Sequence, residues 1–151
     1  MNYRRILANF RYFRNEILLK IYIQKKTPKF YEFVESIKTL KYSNITIVVA
    51  FEQPWALNWL LKMAKKNLRK SSILVFDNSK NSLLSQKIEY VCKKNEVFYY
   101  SLPKYNTHHV NRSHGMALSW IYINIIKALQ PKIFGFIDHD LIPVSHHPQY
   151  S

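Results

Sequence analysis

The sequence predicts an α/β domain with a mainly parallel sheet and flanking helices, preceded by a basic helical segment. Three observations predict it. Apolar runs of strand length alternate with helix-length amphipathic runs about four times between Ile45 and Asp140. The run at 45–51 is β-branched and apolar but for Thr46, and the run at 133–137 is continuously apolar, as strands covered on both faces are. Pro54, Asn81 and Pro131 stand where helices should begin or be closed off.

Residues 1–41 form a compositional unit of their own, with ten Lys or Arg against three Glu. Ile6, Phe10, Phe13, Ile17 and Ile21 recur at helical steps, and Tyr3, Leu7, Tyr12, Leu18, Leu19, Tyr22 and Ile23 widen the apolar surface. Arg4, Arg11, Arg14 and Lys20 lie off that stripe. Such a helix either lies in a membrane interface, in contact through residues 1–26, or packs on protein. Thr27-Pro28 ends it, and a second short helix is expected between Lys29 and Leu40.

The α/β part is expected to span residues 42–151. Ile45 to Phe51 is the first strand, β-branched and apolar. A helix from Trp55 to Leu68 follows, with Trp55, Leu57, Trp59, Leu60, Met63 and Ala64 available for burial. Lys62, Lys65, Lys66, Arg69 and Lys70 gather toward its end, where cations suit the helix dipole. Ile73 to Phe76 is the second strand and stops on Asp77-Asn78-Ser79. Asn81 or Ser82 caps a helix from about Leu83 to Lys94. Glu96 to Leu102 is the third strand, closed by Pro103. Residues 104–113 read as a loop, Gly115 to Leu129 as a helix, and Ile133 to Ile137 as a buried fourth strand.

Composition removes several function classes. The only glycines are Gly115 and Gly135, so the chain holds neither a dinucleotide-binding glycine loop nor a Walker A loop. The single cysteine, Cys92, excludes an internal disulfide and suits a reducing compartment. It reads as a small core residue rather than a nucleophile. His108, His109, His146 and His147 match no structural zinc spacing. Charged residues interrupt every apolar run short of transmembrane length, and the expected location is cytoplasmic, peripheral to the membrane at most. The net charge of +14 attracts anionic partners without separating nucleic acid, anionic lipid and anionic substrate.

The residues that carry chemistry cluster at the expected strand ends. Ligands of open α/β sheets bind outside the carboxyl ends of the strands. Phe51-Glu52, Asp77-Asn78-Ser79 and Asp138-His139-Asp140 would therefore share one crevice. Carboxylates at 138 and 140 suit Mg²⁺ or Mn²⁺, which commonly bridge to substrate phosphates. The bland reading is a polar strand end and a turn. For Asp77 it is an Asx-turn or a cap of the following helix. Glu52 is either solvated or caps the helix near Pro54. Arg112 and His114, with Gly115 as a flexible position, suggest an anion site at a helix start, against a Ser113 N-cap with exposed histidines.

From Ile45 to Val144 the chain resembles the nucleotide-sugar-binding half of a GT-A, Rossmann-like glycosyltransferase of the family 2 type. The resemblance rests on the strand ending in Asp77-Asn78-Ser79, on Asn111-Arg112-Ser113-His114-Gly115-Met116-Ala117-Leu118, and on Asp138-His139-Asp140 at the D-x-D position. It implies a nucleotide-diphosphate sugar donor, UDP-sugar favoured, with Mn²⁺ or Mg²⁺ and a glycan or lipid-linked acceptor. Asp77 would contact the nucleoside. Asp138 would lie toward ribose and metal, and Asp140 nearest the metal and diphosphate. Ala50-Phe51-Glu52-Gln53 departs from the family's pattern of a small hydroxyl, an aromatic and Asn. In the family the acceptor half and catalytic base lie further along the chain. The expectation is therefore a truncated inverting enzyme that binds donor weakly and transfers sugar poorly or not at all. His139 is a conceivable base and otherwise a structural histidine. The rival readings are a non-catalytic basic module for nucleic acid or anionic membrane, and a phosphohydrolase built on Asp138 and Asp140. The three polar strand ends count against the basic module, and a nucleic-acid partner is not expected.

Overall fold

The structure is a computed structural model that describes residues 3–40, 43–105 and 109–141. Expectations for His108, His146 and His147, and for the side chains of Tyr3, Ile6 and Leu7, lie outside the described residues. The chain runs α1 (Tyr3–Gln24), α2 (Phe30–Ile37), β1 (Asn44–Ala50), α3 (Pro54–Asn67), β2 (Ser72–Asp77), α4 (Ser82–Lys94), β3 (Phe98–Ser101), α5 (Val110–Ile121) and β4 (Ile133–Asp138). A π-helical turn, Tyr122–Ile126, and a last α-turn, Lys127–Leu129, extend α5. Gln130 in the left-handed region and Pro131 then stop the helix.

The strands form one all-parallel sheet in the order β3-β2-β1-β4. The α/β reading of the sequence therefore holds. The order steps outward from β1 to β3 and then returns to the far side of β1 for β4. The strand order thus reverses between β1 and β4, and α/β folds place ligands at such a point.

Two apolar layers flank the sheet. Ile45, Ile47, Val49, Leu74 and Phe76 face Tyr22, Phe30, Phe33, Ile37, Trp120, Ile121 and Ile125, from α1, α2 and the α5 helix with its extension. Val48, Ala50, Ile73 and Val75 face Leu57, Leu60, Leu61 and Ala64 of α3 and Ile88 and Cys92 of α4. The alternation along β1 and β2 fills both layers, which is why both strands read as near-continuous apolar runs. Cys92 is a buried core residue whose thiol is pushed well above its ordinary pKa, first by burial and then by the Asp77 carboxylate. The C-terminal part of α1 is tied down as well. Trp120 Nε1 donates to the Lys25 carbonyl at 2.8 Å and Asn124 Nδ2 to the Ile23 carbonyl at 3.1 Å.

Asn81 caps α4, its Oδ1 accepting the N–H groups of Leu83 at 2.9 Å and Leu84 at 3.2 Å. Asn81→Ala is expected to lower stability by about 1 kcal/mol in urea denaturation without changing the m-value.

Three sequence expectations need correction. β4 is an exposed edge strand: Ile133 is 60% exposed and Phe134 and Phe136 about 40%. Among the described residues nothing pairs with its outer edge. Trp55 and Trp59 point to solvent, because Ala56, Leu57, Leu60, Leu61 and Ala64 form the stripe of α3 that meets the sheet. Finally, the last helix begins at Val110 rather than Gly115. Ser113 is consequently a buried residue inside the helix, and His109 occupies the N-cap position.

Candidate functional site

Register decides which strand-end side chains share a face. Asp138 pairs with Val49, and Asp77 pairs with Ala50. Paired residues of a sheet point to the same side. Asp138 therefore lies on the α5 side with Val49, while Asp77 points with Ala50 into the α3–α4 layer.

Asp77 is 1% exposed, and its carboxylate is fully engaged. Oδ1 accepts the Ser79 N–H at 2.8 Å, closing an Asx-turn. Oδ2 accepts the hydroxyls of Ser85 and Tyr99. Burial, with the Asp77 charge beside it, holds the Tyr99 hydroxyl well above its ordinary pKa, so it stays a donor. Ser79 is 2% exposed; its Oγ accepts the Glu52 N–H at 2.9 Å and its carbonyl the Lys104 ammonium at 2.6 Å. Glu52 sits at φ 51°. Its Oε1 accepts the Lys80 and Asn81 N–H groups, each at 3.1 Å. It therefore braces the loop ahead of α4 instead of capping α3. These three residues stitch the end of β1 to the end of β2 and face away from the crevice.

One residue past Asp77 the chain turns to the other side. The Asn78 N–H donates to the Ala50 carbonyl at 2.9 Å, prolonging the ladder. Its Nδ2 donates to Ser113 Oγ at 3.0 Å. That bond draws the first turn of α5 over the strand ends and explains why a stretch with Asn, Arg and Ser is helical there. His114, one residue on, brings Nε2 to 3.3 Å from Asp138 Oδ1. After β4 the Leu141 N–H donates to the Asp138 carbonyl at 3.0 Å, closing a turn that carries His139 and Asp140.

The result is a crevice of about 420 Å³ lined by Val49, Phe51, Asn78, Asn111, Ser113, His114, Asp138, His139 and Asp140. It opens where the strand order reverses, and its volume suits a small-molecule ligand. Five of the expected site residues meet here: Phe51, Asn78, His114, Asp138 and Asp140. Glu52, Asp77 and Ser79 are its buttress. Arg112 and Gly115 are not in the lining. The Arg112 guanidinium lies 5.9 Å from the Tyr105 ring centre, and its Nη2 is buried without a hydrogen-bond partner among the described residues. Gly115 is a solvent-facing helical residue, and a Cβ there would meet nothing within 4 Å. Sequence reasoning passed over Val49, and placed Asn111 and Ser113 in the stretch beside the donor pocket without naming them as binding residues. The i, i+3 spacing of Asn111 and His114 was the available signal, once a helix rather than a loop is assumed over 110–114. His139 lines the wall with its Nε2 buried and unpartnered among the described residues.

A larger hollow of about 540 Å³ lies beside β3, between α2 and α4. Its charged groups are Lys29, Glu32 and Glu89, and it is remote from the strand-order reversal. The smaller crevice is therefore the stronger candidate.

The crevice residues that could hold a divalent cation are Asp138 and Asp140. Asp138 and Asp140 offer hard oxygen donors on one turn, and Asp138 is about half exposed. Among the described residues no three His, Cys, Asp or Glu side chains gather as a metal cage. The chain matches no protein-family model, and no curated protein matches it. No described helix is long and apolar enough to cross a membrane.

Proposed function

We propose that the crevice binds the nucleotide-diphosphate part of a sugar donor together with Mn²⁺ or Mg²⁺, and that the chain is the donor-binding part of a glycosyltransferase. One observation carries the reading. Two carboxylates, two amides and two imidazoles converge on a single crevice at the reversal of strand order.

Asp138 and Asp140 hold the cation through carboxylate oxygens. When bound, the cation supplies Lewis acidity and charge neutralisation at the leaving diphosphate. His114, with Nε2 at 3.3 Å from Asp138 Oδ1, positions that carboxylate. The amides of Asn78 and Asn111 offer both donors and acceptors to the nucleoside. Phe51 supplies an apolar ring to the same wall. A UDP-sugar is the favoured donor, with a glycan or lipid-linked acceptor. The proposed location is the cytoplasm, with which a single free cysteine is in keeping.

Thermal unfolding with UDP or GDP, with and without Mn²⁺, tests the reading. At one hundred times its dissociation constant the nucleotide should stabilise the fold by about 2.7 kcal/mol in the presence of Mn²⁺. Asp140→Ala should abolish that gain without altering unliganded stability. Absence of any shift in the folded wild type would remove the proposal and favour the basic binding module.

A further inference from the structure

The helix α1 carries two apolar faces, and only one is used. At about 100° per residue, Leu18, Leu19, Tyr22 and Ile23 occupy the side that meets the domain. Leu18, Leu19 and Ile23 are half-buried, and Tyr22 is fully buried among core residues. Phe10, Phe13, Ile17 and Ile21 fall within about 80° on a different side. All four point to solvent, with exposures of 66%, 62%, 41% and 51%. Arg14 and Lys20, both exposed, fall just outside that arc, one on each border. The helix as a whole holds five cations and one Glu, and Lys25 and Lys26 follow it.

A stripe of aromatic and branched side chains bordered by long cationic ones is built for a water–lipid boundary. The apolar groups enter the acyl margin, and the Arg and Lys stems reach back to the headgroups. A water-facing helix would not carry the stripe, and an intramolecular role is taken by the opposite face. The charge selects the lipid. We infer that α1 docks the protein in plane on a membrane surface containing anionic phospholipid, through Phe10, Phe13, Ile17 and Ile21 with Arg14 and Lys20 on the headgroups. The surface is separate from the crevice and does not depend on what the crevice binds.

The test is co-sedimentation of the full chain with vesicles of phosphatidylcholine alone or mixed with phosphatidylglycerol. The expected result is binding to the mixed vesicles, weakening as salt is raised, with much less on phosphatidylcholine. Phe10→Ser combined with Phe13→Ser should abolish it. Arg14→Gln and Lys20→Gln together should weaken it on the order of twenty-five-fold, since each cation near an anionic surface contributes about fivefold. Lys62→Gln and Lys66→Gln together on α3 remove as much charge and should change it far less. All these side chains are exposed, so circular dichroism should show every variant folded. Asp140→Ala should bind vesicles like wild type, which separates this result from the nucleotide experiment. Four outcomes overturn the inference: no vesicle binding, equal loss in the α3 variant, a dimer in sedimentation equilibrium that the Phe10/Phe13 variant abolishes, or tighter binding to duplex DNA with the same variant pattern.

Discussion

Replacing Trp120 by alanine should cost about 3–5 kcal/mol, the range for truncating a buried aromatic. That is a large part of the ~5–15 kcal/mol that holds a typical domain together. Trp120 has no exposed surface. Its ring stacks on Tyr100 of β3 at 5.3 Å and 14°, and meets Phe30 of α2 edge-on at 5.7 Å. Its Nε1 holds the Lys25 carbonyl just past the end of α1. One side chain thus joins the N-terminal helices, α5 and the sheet. Trp120→Ala opens a cavity where these layers meet and also strips a donor from that carbonyl. Trp120→Phe keeps most of the apolar area and should cost roughly 1–2 kcal/mol less than the alanine change. Urea denaturation followed by far-ultraviolet circular dichroism reads both. A loss below about 1 kcal/mol for Trp120→Ala would mean that α1 and α2 are not docked as described.

Asp77→Ala should destabilise the fold by about 3 kcal/mol, because it orphans buried donors whose unsatisfied cost is ~1–3 kcal/mol each. Those donors are the Ser79 N–H and the Ser85 and Tyr99 hydroxyls. Asp77→Asn keeps one acceptor oxygen but turns an amide donor toward a hydroxyl, and should cost about half as much. The functional half of this prediction is sharper. Asp77 points into the α3–α4 layer with Ala50. At a temperature where Asp77→Asn is folded, its metal-dependent nucleotide affinity should therefore stay within about threefold of wild type. Asn78→Ala removes a crevice side chain and its bond to Ser113, and should weaken binding by about tenfold, the worth of one hydrogen bond near 1.4 kcal/mol. The opposite ranking would make Asp77 the nucleoside contact that the family resemblance implies.

The contrast between Asp77 and Asn78 shows where the sequence could and could not be read. The strands and α3 and α4 were legible because β-branched runs, Pro54 and Asn81 are local signals with local causes. That strand ends cluster at one side of the sheet follows from parallel topology. Which of two adjacent polar residues turns into the crevice depends on register with β1, and no local signal encodes that. The same holds for β4. An apolar run looks alike whether the strand is covered on both faces or lies at a sheet edge, as Phe134 and Phe136 do. The start of α5 was misplaced for a related reason. Asn111, Arg112 and Ser113 followed by Gly115 resemble a loop, but the Asn78–Ser113 hydrogen bond and the burial of Ser113 override that preference. Trp55 and Trp59 were read as available for burial along with the leucines of the helix, whereas the stripe that meets the sheet is made of Ala56, Leu57, Leu60, Leu61 and Ala64.

The most direct test of the donor-site reading is where a nucleotide-bridged cation sits. Mn²⁺ is paramagnetic and broadens nearby backbone amide resonances. With UDP present, substoichiometric Mn²⁺ should selectively broaden Asn78, His114, Asp138 and Asp140. Glu32 and Glu89 in the hollow beside β3 should be spared. The broadening should need UDP and vanish in Asp140→Ala. Broadening centred on Glu32 and Glu89, or the same pattern without nucleotide, would contradict the account.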